Sequence, residues 1–200
     1  MQWVYASGFL KGIVYENMNY DPTKFDYDKD VDAMDRKLVL GEPLADVING
    51  ANPDLSGFRD GGGKLIVYHG WNDIGVAPMR TVYYYEAVAQ KLSSNFDGVQ
   101  KFFRLFMVPG MQHCEGGPGA DAFGGRPFQP PSPADAEHDV VVALEHWVEK
   151  GEAPKHLIAT KYKDEKVEEG IERTHLLCPY PQAAHFKGHG GDKAEDFECR

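Results

Sequence analysis

The sequence predicts an α/β fold, a parallel sheet with flanking helices, and three observations carry that expectation. Leu65-Ile66-Val67-Tyr68 is a short apolar, β-branched run bounded by Gly63 and Gly70, the pattern of a strand buried on both faces. Residues 79–92 switch to a helical period, with Val82, Tyr85, Val88, Ala89 and Leu92 on one stripe. A second apolar run, Phe102 to Val108, stops at Pro109-Gly110. Strand, helix, strand is the grammar of a βαβ unit, in which two neighbouring strands run parallel.

The other segments fall around that unit. Residues 1–60 mix aromatic and acidic side chains with turn signals (Asn52-Pro53-Asp54, Asp60-Gly61-Gly62-Gly63) and read as a peripheral lead-in to a core at 61–151. After a Gly/Pro-rich loop, Ser132 reads as an N-cap, Pro133 as the first helical residue and Asp135 as a carboxylate near the positive helix end. Val140, Val141, Leu144, Trp147 and Val148 form the apolar face of this helix, and Gly151 ends it. Residues 152–200 read as a C-terminal tail, Pro/Gly/His-rich and with little apolar periodicity between Cys178 and Cys199.

Composition narrows the partners. With 200 residues, 42% of them apolar, the chain can bury one core. A formal net charge of −10, with 31 carboxylates, excludes a nucleic-acid or anionic-membrane surface and suits a neutral, aromatic or carbohydrate-like substrate. No apolar run reaches the length of a membrane span. The residues after Met1 lack a basic and then apolar leader, so a signal peptide, if there is one, is expected upstream of this chain.

Three cysteines leave one unpaired in the chain. A Cys178–Cys199 bridge would close the weakly cored tail, contribute about 3 kcal/mol by chain entropy and imply an oxidising compartment. Cys114 is then either a buried thiol or bonded to a partner outside the chain. Three unrelated reduced cysteines in a cytosolic protein are the alternative.

The chemistry gathers in two loops. Asp73, in His69-Gly70-Trp71-Asn72-Asp73, and His113, in Pro109-Gly110-Met111-Gln112-His113-Cys114, both follow strand ends and lie 40 residues apart, the span of one helix plus one strand. Adjacent parallel strands bring such loops together at their carboxyl ends. A carboxylate beside an imidazole fixes the tautomer and stabilises the imidazolium formed when histidine takes a proton from a hydroxyl nucleophile. Acid before histidine matches the chain order Ser…Asp…His. No serine here sits in Gly-x-Ser-x-Gly or Cys-Ser-x-Gly-Gly, so the nucleophile is expected upstream and this chain alone is expected to be inactive.

Competing patterns are weaker. Asp26, Asp28, Asp30 and Asp32 alternate like a calcium loop, but Val31 replaces the glycine and Lys37 the closing glutamate, which favours a solvated acidic turn. His69, Asp73, His113, Cys114 and Glu115 are zinc-ligand types without a short-spaced pair on one helix. His69 reads as a strand-end residue packing near the site. His138, His146, His175, His185 and His189 read as solvated or locally bonded, and Tyr83-Tyr84-Tyr85 as core and helix surface.

At these motifs the sequence resembles the tannase and feruloyl esterase family of α/β-hydrolases. The resemblance runs through Asp54-Leu55-Ser56-Gly57-Phe58, Gly62-Gly63-Lys64-Leu65-Ile66, the Asp73 motif, Tyr84-Tyr85-Glu86, Phe103 to Met111, His113-Cys114, Gly116-Gly117-Pro118-Gly119 and the tail with Leu177-Cys178-Pro179-Tyr180-Pro181-Gln182, Lys187-Gly188 and Cys199. It implies the C-terminal part of an α/β-hydrolase sheet preceded by the end of a lid, a triad with Asp73 as acid and His113 as base, and an ester of a phenolic or other aromatic acid as substrate. It further implies that Cys114 bridges to a cysteine beside the upstream serine, that Cys178 pairs with Cys199, that the enzyme is secreted to the periplasm or medium, and that any structural calcium sits in the lid, outside this chain. No cofactor is expected in this segment. A non-catalytic acidic binding module, or a peptidase or lactonase sharing these loops, is the alternative.

Overall fold

The structure is a computed structural model and describes residues 2–92, 95–125 and 131–200; part of the Gly/Pro-rich loop, 126–130, lies outside the described residues. It comprises two compact units, Met1–Asn52 and Pro53–Arg200.

In the first unit, α1 (Gln2–Phe9) continues into a π-helical turn at Leu10–Val14, followed by α2 (Asp30–Arg36), the antiparallel pair β1 (Leu38–Val39) and β2 (Glu42–Pro43), and α3 (Leu44–Ile48). Leu10, Val14 and Leu44 form its small buried core, ringed by Phe9, Tyr15, Tyr20, Phe25, Met34 and Val39. The acidic run is consumed locally: Asp30 accepts from the hydroxyls of Tyr15 and Tyr20 and the amide of Asp26, Asp26 accepts from the amides of Asp28 and Lys29, and Asp32 pairs with Arg36.

The second unit contains α4 (Ser56–Asp60), β3 (Leu65–Gly70), α5 (Pro78–Leu92), α6 (Phe96–Val99), β4 (Phe103–Val108), α7 (Val140–Lys150), β5 (Leu157–Tyr162), β6 (Ile171–Leu177), β7 (Ala184–Phe186) and β8 (Phe197–Cys199). β3 and β4 are parallel neighbours, in register from Leu65 opposite Phe103 to Gly70 opposite Val108. Apart from the partly buried Arg104, β4 is apolar because both its faces are covered. Phe103, Leu105 and Met107 pack with Val82, Tyr85, Val88 and Ala89 of α5. Phe106 and Val108 pack with Val140 and Ala143 of α7 and with Leu157, Ala159 and Leu177.

One expectation is corrected. The helix α7 starts at Val140, not at Pro133, and its cap is Asp139, whose Oδ1 accepts from the amides of Val141 (2.8 Å) and Val142 (3.3 Å). Asp135 instead folds residues 133–138 into a turn by accepting from the amides of Glu137 and His138, and the Ser132 hydroxyl donates to Asp139. The later start turns the helix: Val140, Ala143 and Trp147 are buried, whereas Val141 and Val148 face solvent. Gly151 closes it with φ +74, as a residue without Cβ does most easily.

The tail folds into four strands. β5 and β6 form an antiparallel hairpin, Leu157 opposite Leu177, and β7 pairs with β8. A Cys178–Cys199 disulfide, Cα–Cα 5.5 Å, ties the end of β6 to β8. His175 therefore lies on β6, half-buried, with its pKa pushed down by burial and by Arg173, while His185 and His189 are exposed. Among the described residues no helix is long and apolar enough to cross a membrane.

Candidate active site

The ends of β3 and β4 are sewn together by main-chain bonds before any side chain is considered. The Trp71 amide donates to the Val108 carbonyl at 2.9 Å and the Asn72 amide to the Met111 carbonyl at 3.0 Å. This approach requires Gly70, because a Cβ there would lie 2.2 Å from the Met111 oxygen. The loop after β4 is shaped by Gly110, at φ +77, where a Cβ would meet the Gly119 nitrogen at 2.6 Å.

This framework puts Asp73 and His113 side by side: His113 Nδ1 lies 2.7 Å from Asp73 Oδ2. The Asp73 side chain is 2% exposed and the His113 ring 55%. Four donors converge on the carboxylate. Oδ1 accepts from the amides of Gly75 (2.6 Å) and Val76 (2.9 Å), and Oδ2 from His113 and from His69 Nε2 at 3.0 Å. Burial pushes the Asp73 pKa up, but the Val76 amide, the His113 ring, the Gly75 amide and the His69 ring together hold it at about 2.

An ionised carboxylate only accepts, so Nδ1 of His113 carries the proton that faces it, and Nε2, on a half-exposed ring, is the nitrogen able to exchange a proton with a reacting group. The same logic orients His69: Nε2–H donates to Asp73, and in the neutral ring Nδ1 accepts from the Thr81 hydroxyl, 2.7 Å away on α5. The line Thr81, His69, Asp73, His113 is thus a continuous hydrogen-bonded relay.

Of the residues singled out in sequence, Asp73, His113 and His69 come together. Cys114 is half-buried beside His113 with φ +69 and lies far along the chain from the Cys178–Cys199 bridge. Among the described residues, no group of three or more His, Cys, Asp or Glu side chains is arranged to hold a metal ion. Sequence reasoning gave His69 only a packing role and missed Thr81. Their participation depends on the tight turn after β3, which folds His69 back onto Asp73, and on the first turn of α5 passing alongside.

A family model described as tannase and feruloyl esterase matches residues 3–200. The chain is 42% identical over 209 residues to an uncharacterized esterase of Xanthomonas campestris pv. campestris, covering 98% of this chain and 36% of that protein. It is 38% identical over 181 residues to the mono(2-hydroxyethyl) terephthalate hydrolase of Piscinibacter sakaiensis, covering 88% of this chain and 26% of that one. The structure matches the crystal structure of an esterase from Aspergillus oryzae with a TM-score of 0.86 at 30% identity, over 98% of this chain and 37% of the other. The chain spans little more than a third of the length of these proteins, or less. Over nearly its whole length, it belongs to the tannase and feruloyl esterase family.

Proposed function

We propose that this chain supplies the acid and the base of a carboxylic ester hydrolase that cleaves esters of phenolic or other aromatic acids. The reading is carried by one observation: a buried, fully bonded carboxylate 2.7 Å from the Nδ1 of a half-exposed imidazole at the ends of adjacent parallel strands. In this reading the nucleophile is a serine upstream in the complete protein. His113 Nε2 takes the serine proton as the serine oxygen bonds to the ester carbonyl carbon, then returns it to the departing alcohol, leaving an acyl-serine. Water attacks the acyl carbon by the same route, giving up its proton to His113 and freeing the acid and the serine. Asp73 keeps the ring oriented and offsets the imidazolium charge in both halves.

The surroundings suit an aromatic acyl group. Trp71, Ile74, Val76 and Met79 are exposed apolar side chains on the Asp73 loop and the start of α5, and a cluster of this kind on a soluble surface marks a binding region. The related terephthalate hydrolase is named for an aromatic ester. We read Met1–Asn52 as the end of a lid, Cys114 as half of a bridge to a cysteine near the upstream serine, and the protein as secreted, in keeping with the Cys178–Cys199 disulfide.

The test is turnover of ferulate and gallate esters by the complete protein and its Asp73→Asn variant. Loss of the carboxylate selects the wrong histidine tautomer, so kcat is expected to fall about 10³- to 10⁴-fold. Near-normal turnover by Asp73→Asn removes Asp73 from the mechanism. Faster cleavage of peptides or lactones than of aromatic esters would reassign the substrate class.

A further inference from the structure

The loop that carries His113 is rich in glycine. Gly116 and Gly117 have φ of +70 and +91, a Cβ on Gly117 would lie 2.3 Å from the Gly110 oxygen, and one on Gly119 would lie 2.0 Å from the Pro109 oxygen. Such a loop loses much conformational entropy on ordering and has few side chains with which to hold itself. Three backbone bonds run within the loop, from the amides of Gln112, Cys114 and Gly119 to the carbonyls of Gly116, Gln112 and Gly110, and its side-chain anchors come from outside. Asp121 Oδ2 accepts from the Gly116 amide at 2.6 Å, and Lys161 Nζ donates to the Gly117 carbonyl at 3.1 Å.

These two partners are themselves joined. Lys161 Nζ lies 3.5 Å from Asp121 Oδ1 and also pairs with Glu165, with the Lys161 and Asp121 side chains only 8% and 5% exposed. Backbone bonds between Ala122 and Thr160 in both directions hold the Asp121 segment against β5. The register of the β5–β6 hairpin shifts between Lys161 and Tyr162, the kind of irregularity that re-aims a side chain. A buried ion pair contributes little to net stability over apolar residues of equal volume, because both charges must be desolvated. Stability alone therefore does not account for this one, whereas its bonds to two consecutive residues of the His113 loop, the Gly116 amide and the Gly117 carbonyl, do.

We infer that Lys161 and Asp121 are positioning residues: the ion pair clamps Gly116–Gly117 from below and so holds His113 Nδ1 on Asp73. Its catalytic meaning rests on the function proposed above, but the clamp itself is testable without turnover. The proton shared by His113 Nδ1 and Asp73 gives a downfield proton NMR signal that reports the contact directly. In the complete protein, Lys161→Met is expected to lose that signal and lower kcat at least tenfold with KM within twofold, and Lys161→Arg to restore much of both. Because a lone Asp121 charge could unfold Lys161→Met, the double variant Lys161→Met/Asp121→Leu replaces the pair by apolar groups. It is expected to unfold cooperatively near the parent midpoint and still lack the signal.

An unchanged downfield signal in either folded variant overturns the clamp. So does failure of both variants to fold, which would make the pair purely structural. If the signal disappears while kcat stays at the parent level, the clamp stands and the assignment of His113 as base falls.

Discussion

Asp73 is bonded on both oxygens, and that fixes what its neighbours can do. Because four donors already meet the carboxylate, both of its oxygens are committed and its ionised form is favoured. His69 is one of the four, so removing it should be felt at His113. In the complete enzyme, His69→Phe is expected to lower kcat about tenfold, the equivalent of one charge-assisted hydrogen bond, with little change in KM. His69→Gln, which keeps an N–H at a similar reach, should retain most of the activity, and steady-state kinetics on the two variants checks both. Asp73 and His113 were legible in the sequence because each follows an apolar run at a strand end. His69 and Thr81 were not, since what couples them is the turn between β3 and α5, and no residue period encodes that.

At the scale of elements, the parallel pair β3 and β4 and the helix α5 between them were legible from period alone: burial on both faces makes β4 apolar at every position but Arg104, and burial on one face makes α5 apolar at every third or fourth position. The start of α7 was not. Two acidic residues, Asp135 and Asp139, each offer a side chain to nearby amides, and the choice falls to a bond made elsewhere, the Val140 amide to the Phe123 carbonyl at 2.8 Å. Asp139→Ala should therefore destabilise the fold by about 1 kcal/mol, and Ser132→Ala by distinctly less, as chemical denaturation will show. The β5–β6 hairpin escaped notice for a different reason. Leu157–Tyr162 is almost wholly buried yet contains Lys161, whose charge breaks the apolar pattern and is tolerated only because Asp121 and Glu165 meet it. That lysine stays charged: burial favours its neutral form, but the two carboxylates outweigh it and raise the pKa.

For the molecule as a whole, the Asp73 network links the site to acid stability. Its folded pKa of about 2 lies below the ordinary aspartate value of 3.8, so the unfolded chain binds the proton more readily. The contribution is complete above about pH 4 and lost as the pH falls through 2; it amounts to at most about 2 kcal/mol, less after screening at the half-exposed His113. Denaturation midpoints at pH 6 and pH 3 should draw apart in the parent protein, and by a smaller margin in Asp73→Asn. The stitching of Trp71 to Val108 and of Asn72 to Met111 has a consequence for how such a protein can diversify. Since peptide groups rather than side chains set the separation of the two loops, the apolar residues that rim them are free to be exchanged. Under the proposed reaction, selectivity can drift from one acyl group to another while the proton-handling hardware is inherited intact, and among the residues least able to change is one with no side chain, Gly70.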